Sequence, residues 1–445
     1  MKRDLTRHLF EWKDSPQRKP ILLRGARQVG KSYLAREFGR EFESFVEINF
    51  EFSPQLCATF EKDLDPKRIV RDLSLFTGKE IVPGKTLLFL DEIQECPHCL
   101  KSLRYFYEKL PELHVIAAGS LIDFILEEIG LPVGRIKPLY LYPLSFMEFL
   151  EAMGQRLLRQ EIDSIDQIKE LPLILHNKLM DLLGEYLAVG GMPEAVQEWV
   201  NSGNIKHCST IHQTLVDTYR QDFSKYARKS EQKYVDIVFN SIPRLLGKKF
   251  VYSSVSPELR TRELRPALDL LVKAGVAHVV YHSSSNGVPL GAEVNPSICK
   301  VIFLDIALAQ SLLGLDQGQW ILKPAESIVN RGQITEAFVG QELLAYSSPF
   351  RKRSLHYWLR EKSGSRAEVD YVSEWKGKVV PVEVKSGKAG TLKSLNFFLQ
   401  TKNTTPFGLQ FSPNGYSINL ERRIVSVPLY GISAAEHLES EPLTE

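Results

Sequence analysis

No stretch of this chain approaches the ~20 apolar residues of a membrane span, and the opening Met1-Lys2-Arg3-Asp4 has no apolar signal core. Both absences lead to the expectation of a cytoplasmic protein with no membrane partner. An excess of one charge is missing too. Fifty-six basic against 54 acidic residues leave a formal charge of +2. No global basic field therefore argues for nucleic acid, although a local patch can still form. Cysteine is scarce, five in 445 residues, and an odd number in so long a chain speaks against a disulfide framework. Cys96 and Cys99 form a C-x-x-C, but no second pair stands at a spacing that would complete a zinc site. What remains is an ordinary globular composition, 43% apolar and 25% charged. The length calls for roughly two or three domains.

The densest chemistry lies in ILLRGARQVGKSYLAREF, residues 21–38. Ile21, Leu22 and Leu23 read as a strand, and Leu34, Ala35 and Phe38 recur behind them at helical spacing. Between the two, Gly25-Ala26-Arg27-Gln28-Val29-Gly30-Lys31-Ser32 fits G-x-x-x-x-G-K-[ST] at every fixed position. Strand, glycine loop and helix make the context in which this motif is a phosphate site. Backbone N–H groups from Gly25 to Tyr33 can turn around a phosphate, and the helix N-terminus adds its dipole. Lys31 is placed for the β and γ phosphates and Ser32 for Mg²⁺, so ATP and Mg²⁺ are the expected ligands.

Further strands follow. Phe45–Phe50 reads as the second, and Thr86–Leu90 as a third that ends in Asp91-Glu92. Its unbroken apolar run suits a strand buried on both faces of a parallel sheet. Acids at the C-terminal end of such a strand lie where open α/β sheets bind ligands. Asp91 is placed to hold Mg²⁺ and Glu92 to activate the attacking water. The fourth strand, His114–Ala118, ends in Gly119-Ser120, where Ser120 can contact the γ-phosphate or that water. Arg135, after Gly134, is either an arginine finger or sensor, acting in cis or in trans, or a surface arginine.

The phrases GARQVGKS, LLFLDEIQ, AAGS, GR and PLSFMEF occur in that order, followed by GGMPEAV at 190–196. In this they resemble the AAA-type P-loop ATPases of bacteria and archaea whose C-terminal half is a conserved domain of unknown function, DUF4143. The resemblance continues through TEAFVGQEL, a Tyr-Trp strand, EVDYV and VEVK, and so covers most of the chain. It implies ATP hydrolysis, and a C-terminal module with a fold like the PD-(D/E)xK nucleases.

The residues of that module carry a second constellation. Glu336 and Glu342 lie on one helical stretch. Asp370 on one strand and Glu383-x-Lys385 on the next make a D…E-x-K pattern, with Glu383 and Lys385 on one face. Glu336, Asp370 and Glu383 would hold Mg²⁺ while Lys385 positions water. The alternative is that Lys385 merely neutralises a carboxylate. Upstream, a helix over 266–274 with Pro266 in its first turn, a strand at 276–281 and an Asn286-Gly287 turn resemble a winged helix. Arg260, Arg262 and Arg265 could meet DNA there, or the unit could join proteins.

The expected architecture is α/β. A P-loop ATPase core spans 1–145, with a helical extension at 146–193. A helical, winged-helix-like region follows at 194–320, then a nuclease-like module at 321–432 and a mobile acidic tail at 433–445. The expected function is a Mg²⁺-dependent ATPase whose nucleotide state gates the C-terminal half, acting on nucleic acid. Two alternatives stand beside it: a Mg²⁺-dependent DNA nuclease regulated by the ATPase half, and a nucleotide-dependent protein-binding switch. Homo-oligomerisation is compatible with each.

Overall fold

A computed structural model describes the chain except for residues 131–133, 164–169, 363–364, 388–391 and 437–445. Two sheets organise it. The first holds β1 (Ile21–Arg24), β2 (Ser44–Asn49), β3 (Thr86–Asp91), β4 (His114–Ala118) and β5 (Lys137–Tyr140). All pairings are parallel, in the order β2-β3-β4-β1-β5. This is a P-loop NTPase-like α/β fold.

Every residue of β3 and β4 is buried, as expected for strands covered on both faces. Alternation assigns the two faces. Leu22, Leu88, Leu90, Val115 and Ala117 enter one core with Val46 and Phe106. Leu23, Leu87, Phe89, Ile116 and Ala118 face the other way, into a core that runs on through Tyr186, Phe338 and Val380. The first sheet therefore shares a hydrophobic core with the C-terminal half. Truncating a residue such as Phe89 or Phe338 to alanine costs about 3–5 kcal/mol.

The second sheet contains β6 (Ala277–Ser283), β7 (Val294–Phe303), β8 (Leu355–Lys362), β9 (Ser365–Trp375) and β10 (Lys378–Val384). It is completed by β11 (Gly408–Ser412), β12 (Ser417–Asn419) and β13 (Ile424–Pro428), in the order β12-β13-β11-β10-β9-β8-β6-β7. β6 and β7 pair with each other antiparallel, and β6 joins β8 in parallel. The boundary expected at 320/321 thus falls inside one hydrogen-bonded sheet. The strand at 276–281 and its partner, read as resembling the wing of a winged helix, are part of that sheet.

Two further expectations are corrected. The helix expected over 266–274 runs Thr261–Lys273, with Pro266 in its interior. Glu263 starts it early by accepting the Arg260 N–H at 2.9 Å. The tail expected from 433 begins in a helix, Ile432–Glu436, whose Glu436 pairs with Arg353 at 2.6 Å. Residues 437–445 lie outside the described residues.

Close contacts tie the halves together around Gly190-Gly191. A Cβ on Gly191 would stand 2.2 Å from the Leu144 carbonyl oxygen, and one on Gly190 would stand 2.5 Å from Asp305. With glycine there, the Gly191 N–H donates to Asp305 at 2.8 Å. Glu342, on the helix Gly332–Ala345, accepts the Phe146 N–H at 3.0 Å and so caps the helix Phe146–Ala152. Burial pushes the Glu342 carboxyl up to about 7.

Candidate active site

The chain leaves β1 at Gly25, whose φ is +145°. A Cβ there would meet the Leu141 carbonyl oxygen at 2.1 Å, so the turn needs glycine. Gln28 and Gly30, also at positive φ, complete the loop before the helix Lys31–Gly39. The Leu34 N–H bonds back to Gly30 at 2.9 Å. The amides of Lys31, Ser32 and Tyr33, one turn earlier, have no intrahelical acceptor and open the anion-binding end of the helix. The Tyr33 side chain points outward, and its hydroxyl accepts from the Met1 ammonium at 2.6 Å.

Lys31 folds back on its own loop, donating to the Gly25 carbonyl at 3.0 Å and to that of Ala26 at 2.7 Å. Burial lowers its pKa to about 8, against the raising influence of Glu92 and Asp91. An ammonium this desolvated gains from an arriving anion.

Asp91 ends β3 and is buried. Its Oδ2 accepts from the Ser32 hydroxyl at 2.8 Å and from the Asn49 amide at 3.4 Å. Its Oδ1 accepts the Glu92 N–H at 3.1 Å. Burial raises the Asp91 pKa, and the Ser32 bond opposes that. A hydroxyl and a carboxylate at this separation are hard oxygen donors that fit Mg²⁺ with waters in its remaining positions. Glu92 turns through a positive φ, and its carboxylate is held by the Gln94 amide. Gly119 makes room for that arrangement, since a Cβ there would stand 2.2 Å from Gln94 Oε1. Ser120, buried at the tip of β4, lines a small cavity of about 40 Å³ with Gly25 and Ala26.

The outer side of the loop is gripped by the rest of the chain. Arg27 pairs with Asp222 on the helix Ile205–Tyr226, and the Tyr219 hydroxyl donates to the Arg27 carbonyl at 2.6 Å. Gly275 lies against Ala26, so that a Cβ on it would be 3.2 Å from the Ala26 nitrogen. Arg3 donates to the Val29 carbonyl at 3.0 Å and pairs with buried Glu148 at 2.9 Å. A cleft of about 750 Å³ opens nearby, lined by Glu51, Gln94, Glu95, Phe124, Lys225 and Arg228.

Arg135 does not reach this site. β5 runs parallel to β1 with Lys137 opposite Ile21, so a residue before β5 sits at the N-terminal edge of the sheet, away from Gly25–Ser32. Its guanidinium instead pairs with Glu108 at 2.8 Å.

The second constellation does assemble, with a member that was not anticipated. Lys385 donates to Glu383 at 2.6 Å, and the Val384 N–H donates to Asp370 at 2.7 Å. Lys300, from β7, donates to Glu336 at 2.8 Å, pairs with Glu368 and lies 3.9 Å from Asp370. Burial and the neighbouring Glu336 and Glu383 raise the Asp370 pKa well above the usual carboxylate range. Among the described residues, no three or more His, Cys, Asp or Glu side chains are set to hold a metal ion. Glu336 is paired with Lys300 and Glu383 with Lys385, the latter being the ion pair that stood as the alternative to a metal site.

Sequence reading also missed Asn49, Gln94 and Asp222. Gln94 stood in view within Asp91-Glu92-Ile93-Gln94, two residues from the acid it holds. Lys300 left a trace as well, because strand alternation places it beside Ile298 and Ile302 on an otherwise apolar face.

Comparison with family models matches residues 17–150 to an AAA domain, 180–319 to a domain of unknown function (DUF8612) and 331–430 to another (DUF4143). No curated protein matches the chain. Among solved structures, a Walker-type ATPase of Pyrococcus abyssi is 18% identical, with 70% of this chain and 95% of that one covered at a TM-score of 0.44. The Orc1 protein of Aeropyrum pernix, solved in complex with DNA, is 13% identical, with 71% and 93% covered at a TM-score of 0.32. Among the described residues, no helix is long and apolar enough to cross a membrane.

Proposed function

We propose, for a chain that joins an AAA domain to a DUF4143 domain, that it is an ATPase whose nucleotide state acts on a nucleic-acid-binding C-terminal half. The observation that carries the hydrolytic part is the convergence of Lys31, Ser32, Asp91 and Glu92 at one end of the first sheet. Lys31 leaves its two loop carbonyls for the β and γ phosphates. Ser32 and Asp91 hold Mg²⁺, which when bound neutralises phosphate charge. Glu92, kept in place by Gln94, orients the attacking water and takes its proton. Ser120 stands at the neighbouring strand tip to contact the γ-phosphate or that water.

The transmission rests on Arg27, which lies inside the phosphate loop and pairs with Asp222 outside it. A nucleotide that reshapes the loop thereby acts on the helix Ile205–Tyr226. The nucleic-acid part rests on Arg260, Arg262 and Arg265, all exposed at the start of the helix Thr261–Lys273, beside the β6–β7 pair. The order helix Gly332–Ala345, β8, β9, β10, helix Lys393–Thr401, β11 supports a PD-(D/E)xK-like fold used for binding. Labelled duplex DNA, titrated with ATP present at about 50 and 200 mM salt, tests this reading. Binding should weaken steeply with salt, and Arg262→Glu with Arg265→Glu should weaken it further. Binding that ignores both changes removes this face from the account.

A further inference from the structure

Four carboxylates meet in the C-terminal half: Glu336 from the helix Gly332–Ala345, Glu368 and Asp370 from β9, and Glu383 from β10. Glu336, Asp370 and Glu383 are largely buried while Glu368 is 40% exposed, and like charges gathered in this way call for a cation among them. The cation comes from far off in the sheet. Lys300 starts on β7, three strands from β9, and crosses over the Tyr357 ring of β8 with Nζ 5.2 Å from its centroid. Its Nζ then reaches Glu336 at 2.8 Å, pairs with Glu368 and stands 3.9 Å from Asp370. The side chain is 3% exposed, so the charge is committed to the cluster and not shared with solvent.

We infer that the Lys300 ammonium occupies the place of a divalent cation, and that its removal opens a latent cation site formed by Glu336, Glu368 and Asp370. A divalent ion draws carboxylate oxygens to roughly 2.1–2.6 Å, whereas an ammonium holds them at hydrogen-bond distance. The two therefore compete for one position, because two cations a few ångströms apart repel. Glu383 lies close enough to Asp370 for its charge to raise that carboxyl. Glu383, 5% exposed, has one oxygen, Oε2, without a hydrogen-bond partner, although Lys385 serves the other. With Lys300 in place the module has its own counter-ion and is a metal-free centre, which suits binding and not metal-dependent cleavage. Lys385 is already engaged with Glu383 and is not free to position water.

The test uses full-length, nucleotide-free protein titrated with Mn²⁺ and read by the paramagnetic resonance of the unbound ion. ATP turnover does not enter this readout, so its outcome is separate from that of the ATPase reading. The phosphate-loop site is common to all variants and cancels in the comparison. Lys300→Met should bind one more Mn²⁺ per chain than the parent, at least about tenfold tighter than any Mn²⁺ the parent takes at the cluster. Adding Glu368→Gln to Lys300→Met should remove that ion. Equal stoichiometry and affinity in parent and Lys300→Met would overturn the inference. If Lys300→Met does not fold, the parent decides alone. Glu368→Gln and Asp370→Asn in the parent background should leave Mn²⁺ binding unchanged, and loss of a bound ion from either would show that metal, not Lys300, owns the centre.

Discussion

Ser32 and Asp91 share a hydrogen bond of 2.8 Å that joins the first turn after the phosphate loop to the end of β3, across the intervening β4. The two oxygens already stand within reach of one small ion. Taking both as ligands would cost only the hydroxyl's bond to the carboxylate.

Asp91→Asn keeps the acceptor for Ser32 but removes the charge that a hard cation seeks. The variant should need about tenfold more Mg²⁺ for half-maximal ATP turnover. A Mg²⁺ titration at saturating ATP reads this directly, and an unshifted midpoint would take Asp91 out of the metal's coordination.

Lys31 titrates near 8 because burial outweighs the two nearby acids. The protonated form is the one that binds phosphate. Affinity for ATP should accordingly be flat below pH 8 and fall by up to about tenfold per pH unit above it. Lys31→Ala should lose about 100-fold in affinity and the pH dependence with it. Titration of a fluorescent ATP analogue between pH 6.5 and 9.5 would check both.

The Arg27–Asp222 pair and the Tyr219 bond to the Arg27 carbonyl predict a mechanical link. ATP should change amide hydrogen exchange along the helix Ile205–Tyr226 in the parent. Asp222→Asn combined with Tyr219→Phe should abolish the change in that helix while ATP still protects the phosphate loop. An unaltered response in the double variant would place the transmission elsewhere, for example at Gly275 against Ala26.

How far these residues were legible follows from how far apart they lie in sequence. Lys31 and Ser32 sit in one motif, and Asp91 and Glu92 at the end of an apolar run, so local pattern was enough. Asp222 stands 195 positions from Arg27, and nothing local marks it as the partner of a loop arginine. Lys300 was visible as a charge on an apolar strand face, but its target depends on the order β7-β6-β8-β9, which only tertiary pairing sets. For Arg135 the sequence leaves a finger, a sensor and a surface arginine open, because its place beside Glu108 before β5 is set only by the β1–β5 pairing. Pro266 misled in the usual direction for its type. Proline marks first turns, yet the Glu263 bond to Arg260 started this helix five residues earlier.

Glu342 supplies a pH-dependent joint between the halves. Its folded pKa of about 7 lies above the ordinary 4.5, so the folded chain holds more protons between those values. Its contribution to stability is full below pH 4.5 and is lost as pH rises through 7, about 3 kcal/mol in all. Glu342→Gln is neutral throughout and lacks this slope. Urea midpoints at several pH values should show the variant gaining on the parent from pH 5 to 8. A constant difference would mean that Glu342 is ionised throughout.

Turnover of ATP by Glu92→Gln tests the central claim most directly. The amide keeps the shape of the side chain and a partner for Gln94 but cannot accept the proton of the attacking water. Single-turnover hydrolysis with Mg²⁺, measured beside ATP affinity, should show turnover lowered by about 100-fold or more with affinity within about threefold of the parent. Hydrolysis at the parent rate with ATP bound would contradict the account, because the acid that closes this site would then have no part in its chemistry.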